Sequence, residues 1–284
     1  MTTMQGIIFG IISMFGFGLS NGISKKPIIK IGILQTLVIR MRFTTFLLFC
    51  LLLFSKKTYN LKYMLIALGI SAFGYIPLLF FYKALEISKV GVVVPIANSY
   101  AMFTILGSAI LLGETLNSKF ILPFGMIIVG IIILSINIKQ FKFSKGLIYA
   151  FFASILWGIF FVFVSFPVNV LGPVFTSFLM EFMGMIISTT HLIIKKQKIE
   201  KVSKKTIMEI FLISLFVVTA AVSYNFGIQY ALVSVVVTLS SAAPLVSTLY
   251  GRIFLKEKLK FYQYIAILVI LTGIIIISIE SIIF

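Results

Sequence analysis

The chain says the same thing twice. From Phe81 to Leu116, and again from Tyr224 to Leu259, the sequence aligns without a gap at an offset of 143 residues. Val90, Val92 to Val94, Leu106, Ile110, Leu112, Glu114 and Leu116 fall on Val233, Val235 to Val237, Leu249, Ile253, Leu255, Glu257 and Leu259. At the same offset, Gly130 to Ile136 returns as Gly273 to Ile279. A fixed-offset duplication restricts the fold to assemblies of two copies of one unit. In an apolar chain such a duplication is a known way of building a transporter.

The medium of that unit follows from composition. Apolar residues make up 61% of the 284 positions and charged ones 11%, with a mean hydropathy of +1.18. A soluble domain is near half apolar and a quarter charged, so most of this chain is dissolved in lipid. Crossing the hydrocarbon takes about 20 apolar residues as a helix, and ten segments qualify. They run at roughly 4–24, 33–54, 63–83, 91–113, 119–137, 146–165, 172–194, 206–229, 233–255 and 260–281. Helices are required because lipid offers the backbone no partner and the runs are too long for half-buried strands.

The expected fold is an all-α integral membrane protein. Its halves are 1–138 and 139–284, each of five helices. An odd repeat makes the second copy enter the membrane from the opposite side, so the halves are inverted about an axis in the membrane plane. The first helices of the halves match at an offset of 140. Gly6 and Gly10 lie over Gly146 and Ala150, and Phe17-Gly18 lies over Trp157-Gly158. Small residues four apart form a stripe that a neighbouring helix can approach closely. The first segment has neither a basic leader nor a small-residue cleavage site, and is expected to stay as a helix.

What the chain lacks narrows its chemistry. It has no Asp, seven Glu, one His (His191), one Cys (Cys50) and one Trp (Trp157). Aspartyl catalysis, Asp-rich prenyl-transfer sites, multi-His or multi-Cys metal centres and an intrachain disulfide cannot be assembled from that set. There is no GxxxxGK[ST] motif to hold ATP, and no cofactor is expected. The net charge of +17 sits mostly in short inter-helix segments, where Lys meets anionic lipid headgroups. Nucleic acid is not an expected partner.

Several short motifs carry a family likeness. They are Phe17-Gly18 and Trp157-Gly158, Arg42-Phe43, Ala84-Leu85 followed by Val90 to Pro95, and Leu112-Gly113-Glu114. The second half adds Val233 to Thr238, Pro244 and Leu255-Lys256-Glu257. In order and duplication these resemble the EamA-type proteins of the drug/metabolite transporter superfamily, over nearly the whole chain. The resemblance implies a ten-helix carrier of small metabolites that works by alternating access. Two departures stand out: Glu181-Phe182 occupies the place of Arg42-Phe43, and Lys256 replaces the Gly before Glu257.

Candidate site residues are the polar ones inside the spans. An ionisable side chain at membrane depth costs roughly 2.5–3.5 kcal/mol, so each one invites a role. Arg40 and Arg42 stand seven and nine residues into the second helix, on different faces. One can snorkel to the interface while the other faces protein. Arg42 is the candidate for gating or for orienting an anionic group, against an anchoring role to carbonyls or headgroups. Glu181, its repeat partner, is the candidate for proton coupling, against a satisfied acid paired with a buried cation. His191 is expected to sit at the interface.

The neutral candidates are Asn98, Tyr100, Ser240 and Ser241 on the fourth and ninth helices, Tyr82, Tyr224 and Asn225 on the third and eighth, Asn21 on the first and Trp157 on the sixth. Hydroxyls at helical spacing also glue helices together. Their clustering on the repeat-paired helices favours a cavity near the midplane, lined by spans 1, 3, 4, 6, 8 and 9. Pro95 and Pro244 predict irregular helix where that cavity lies. Glu114 and Glu257 are expected to cap a helix or pair with a Lys at the membrane edge. Spans five and ten read as packing surfaces and candidate dimer surfaces, the chain being monomer or homodimer.

These readings converge on a multi-pass carrier of the cell membrane with a small-molecule substrate. A flippase of an amphipathic or lipid-linked molecule is the main alternative, with a membrane enzyme or a scaffold behind it. Lys is concentrated in the odd-numbered connections, which places those in the cytoplasm and both termini outside. Proteins that the chain resembles have both termini cytoplasmic, so the two expectations oppose each other.

Overall fold

The computed structural model describes residues 3–113, 121–137, 142–197 and 200–283. The first half holds α1 (Thr3–Ile31), α2 (Ile33–Leu53), α3 (Leu61–Ile87), α4 (Val90–Asn98), α5 (Tyr100–Leu112) and α6 (Ile121–Ser135). The second holds α7 (Lys145–Leu171), α8 (Pro173–Ile194), α9 (Lys204–Tyr230), α10 (Val233–Ser241), α11 (Pro244–Phe254) and α12 (Phe261–Ile283). A two-residue antiparallel ladder, β1 (Ile136–Asn137) with β2 (Lys142–Phe143), lies between the halves. Among the described residues eight segments are long and apolar enough to cross a membrane, α4–α5 and α10–α11 each counting as one. The shorter apolar stretches Ile121–Gly130 in α6 and Phe261–Gly273 in α12 stand at the fifth span of each repeat, giving ten.

Three helices run past the ends that hydropathy assigns them. α1 continues through Lys25, Lys26 and Pro27 to Ile31, and the connection from Lys25 to Gly32 shrinks to Gly32 alone. Hydropathy falls at Lys25, but its ammonium finds acceptors within the protein, as does that of Lys30 on Ser203 and Thr206. The helix therefore has no reason to stop. α7 likewise passes Pro167 and ends at Gly172, and α3 extends to Ile87. Gly32 and Gly172 are 140 residues apart and share one backbone conformation, φ 80 with ψ 165 and φ 90 with ψ 161. That region is open to glycine and strained for other residues, which is what lets one residue turn the chain between two spans.

The halves interlock instead of packing as separate bundles. α1 packs along α9, and α7 packs along α3, so the first span of each half lies on the third span of the other. α1 also meets α11 while α7 meets α5, and α2 meets α8. Each pairing maps onto its counterpart under exchange of the halves, the relation expected of inverted repeats. Glycine sets how closely the helices approach. A Cβ on Gly18 would stand 2.6 Å from the Val246 Cβ, and one on Gly158 would run into the Cβ of Phe103, the residue 143 positions earlier than Val246. Gly6 presses on Ala231 and Gly227 of α9, and Gly146 presses on Ser88 after α3, as the small-residue stripe anticipates.

α6 and α12 pair with each other through the duplicated glycines, Gly130 against Ala266 and Ile270, and Gly273 against Pro123 and Ile127. The duplicated valine runs are buried where the halves meet: α4 packs on α11 and α10 on α5, with Val93, Val94, Val236 and Val237 fully enclosed.

Candidate functional site

The fourth span breaks at Ser99 and the ninth across Ala242 and Ala243, so Ser99 and Ala242 are repeat partners 143 residues apart. Pro95 lies one turn before the first break and Pro244 opens α11 after the second. Proline supplies no N–H to the helical ladder, so the ladder tightens locally: the Met102 amide donates to the Ser99 carbonyl, and the Leu245 amide to that of Ala242.

Beside the first of these breaks lies a cavity of about 180 Å³. It is walled by α1, α2, α3, the α4–α5 junction, α7, α8 and α9. Spans two and seven therefore contribute, which the polar-cluster reading leaves out, and the ninth span does not line it.

Eight of the residues singled out from sequence meet there: Asn21, Tyr82, Asn98, Tyr100, Trp157, Glu181, Tyr224 and Asn225. Ser240 and Ser241 do not. The Ser240 hydroxyl bonds that of Ser13 on α1 at 2.9 Å, and Ser241 donates to the Thr238 carbonyl at 2.8 Å. Both are buried polar joints between or within helices, the alternative that small hydroxyls always carry.

The basic residue that lines the chamber is Arg40, and Arg42, the candidate named from sequence, does not line it. Arg40 is 4% exposed and lines the cavity, whereas Arg42 is exposed on another face of α2. The signal was present as a polar stripe. Thr36, Arg40 and Thr44 recur every four residues, and all three are buried on the face that meets α8 and α9. Arg42 falls outside that stripe.

Arg40 and Glu181 form an ion pair, with an Arg40 terminal nitrogen 3.5 Å from Glu181 Oε2. The same carboxylate oxygen accepts from the Thr44 hydroxyl at 2.7 Å. The Arg40 Nε–H is buried and meets no acceptor among the described residues. Glu181 is thus both things at once, an acid paired to a buried cation and a wall of the chamber.

The rest of the lining divides by chemistry. Tyr75, missed in the sequence, offers a hydroxyl 3.1 Å from His191 Nδ1, so His191 reaches back toward the chamber instead of only marking the interface. Asn98 donates to the Val94 carbonyl at 2.9 Å, and Asn225 to the Ser177 hydroxyl at 2.8 Å. Aromatic rings make up much of the remaining lining. Tyr100 stacks on Phe161 with centroids 4.6 Å apart, Phe161 meets Tyr224 at 4.9 Å, and Trp157 meets Phe81 at 5.1 Å.

At the end of the molecule formed by the odd-numbered connections, Glu257 closes a clasp. It accepts from Lys25 Nζ at 2.6 Å, and from the Val90 and Gly91 amides at 3.0 and 3.2 Å. Glu257 therefore caps α4 and pairs with a Lys, both of the roles its position suggested. Glu114, its repeat partner, lies outside the described residues. Among those described, no three His, Cys, Asp or Glu side chains gather to hold a metal ion.

Ten spans in two interlocked, inverted halves around a largely apolar chamber that holds one buried ion pair define a multi-pass membrane protein of the transporter type. The sequence profile of the EamA-like transporter family matches residues 4–136 and again 144–279, and the chain belongs to that family, a branch of the drug/metabolite transporter superfamily. One solved crystal structure superposes with a TM-score of 0.77 over 97% of each chain at 16% identity, a likeness of fold. No curated protein matches the sequence.

Proposed function

We propose that the chain is a secondary carrier that moves a small metabolite across the cell membrane by alternating access through the central chamber. The observation that supports this most is the Arg40–Glu181 pair at the meeting of the inverted halves. Two charges at membrane depth are costly and are tolerated where they line a pathway. The family membership supports the carrier class, and the chamber supports the route.

In this reading the two halves rock about bound substrate, and the Lys25–Glu257 clasp holds the chamber shut at the odd-connection end. The driving energy is the substrate's own gradient or protons carried on Glu181. The volume of about 180 Å³ favours a small metabolite over a lipid-linked one, since pockets for drug-sized molecules run from roughly 300 Å³ upward. Counterflow in proteoliposomes tests the reading: a loaded metabolite panel should accelerate entry of the same labelled compound. Flux equal to that of empty liposomes for every panel member overturns it. Uptake driven by a pH gradient that survives Glu181→Gln removes the proton assignment and leaves the carrier.

A further inference from the structure

We infer that the chamber selects a small organic monocarboxylate with an apolar body about the size of one six-membered ring, its carboxylate taken by Arg40 in exchange for Glu181. This deepens the carrier reading and rests on it for the route.

Three observations carry the anion. Arg40 is over nine-tenths buried, yet its Nε–H finds no acceptor among the described residues. Its contact with Glu181 runs through one terminal nitrogen and one oxygen at 3.5 Å. A charge-assisted hydrogen bond is normally 2.7–2.9 Å, and guanidinium pairs with carboxylate best as a two-pronged fork. The Arg40 fork is therefore mostly unused. Thirdly, Glu181 has its own donor in Thr44 at 2.7 Å, so it keeps a hydrogen bond when Arg40 turns to another acid.

Two of the amides in the lining are already engaged. Asn98 and Asn225 donate to the Val94 carbonyl, the Ser177 hydroxyl and the Pro173 carbonyl. The other charged or titratable groups around the pair are Tyr75, Tyr82 and, through Tyr75, His191. Among these described neighbours Arg40 carries the one fixed positive charge.

The body follows from the aromatic part of the lining and from size. Trp157, Phe81, Phe161 and Tyr100 present ring faces and edges, which suit a flat or compact apolar group. A dry cavity of about 150 Å³ holds one benzene. The chamber's volume of about 180 Å³ leaves room for a ring and one small polar group.

The test uses benzoate as probe, with benzamide and benzylamine as neutral and cationic counterparts of the same shape. Trp157 is the sole tryptophan and lines the chamber, so its emission reports occupancy in the purified protein. Benzoate should shift that emission saturably, and benzamide and benzylamine should bind at least tenfold more weakly. The double variant Arg40→Gln/Glu181→Gln leaves no unpaired buried charge and should lose the benzoate response at least tenfold; Arg40→Lys should lose it in part. Benzamide binding as well as benzoate, a double variant that folds and keeps full benzoate affinity, or no saturable response overturns the inference. Benzoate bound selectively while no panel member shows counterflow upholds the site and defeats the carrier. Transport of another metabolite with no benzoate binding does the reverse.

Discussion

Replacing Glu257 with Gln should unseal the chamber from the side of the odd-numbered connections. Three hydrogen bonds converge on that carboxylate, from Lys25 Nζ and from the Val90 and Gly91 amides, and they tie α1 and α4 of one half to the α11–α12 turn of the other. The Lys25 and Glu257 side chains are 16% and 7% exposed, so solvent screens the cluster little. Bonds to a charged group contribute about 1.5–3 kcal/mol and neutral ones about 0.5–1.5, so neutralising the acid removes about 1 kcal/mol from each. The loss sums to roughly 3 kcal/mol, equivalent to about 150-fold in a two-state balance. Lys25 keeps the Ser88 carbonyl at 2.9 Å, which trims the effect toward tenfold to hundredfold.

The assay is thiol labelling. Cys50 is the sole cysteine, so Cys50→Ser with Ser20→Cys leaves one thiol at a buried position lining the chamber. A membrane-impermeant maleimide supplied from the odd-connection side should react about ten to a hundred times faster once Glu257→Gln is added. A rate within twofold of the parent, in a variant with an unchanged size-exclusion profile, refutes the clasp as the seal.

Other perturbations test the helix contacts and the site. Gly158→Ala puts a methyl onto the Cβ of Phe103 and should cost about 1–3 kcal/mol, read as a lower melting temperature in detergent. Gly113 and Lys256 are repeat partners with φ 70 and φ 52, so the departure from Gly at position 256 places a side chain in left-handed backbone. Lys256→Gly should therefore raise the melting temperature, the relief being about 1 kcal/mol. Arg42→Gln should leave metabolite uptake within about twofold of the parent, while Arg40→Gln should abolish it; equal losses at both would return the role to Arg42.

Duplication made the architecture legible. An offset of 143 residues in an apolar chain demands two five-span units of opposite sense, and the reciprocal pairing of α1 with α9 and α7 with α3 has that symmetry. Helix ends were less legible, because hydropathy records a cost to lipid and not the partners that remove it. Lys25 looks like an end until the Ser88 carbonyl and Glu257 are beside it.

The chamber was half legible for a related reason. Asn21, Asn98, Tyr100 and Asn225 could be collected by polarity alone, but polarity does not tell a lining group from a joint. Ser240 meets Ser13 across two helices from distant parts of the chain, and nothing local distinguishes it from Asn98. Choosing between Arg40 and Arg42 needed direction as well as depth. Two residues apart on a helix, they differ by roughly 200° of rotation, and only the stripe of Thr36, Arg40 and Thr44 says which faces inward. The same stripe carries the donor to Glu181. In this chain the basic residue flanked by hydroxyls at four-residue spacing marks its counter-ion on the facing helix: Thr44 and Arg40, one turn apart on one face of α2, both reach Glu181 Oε2 on α8.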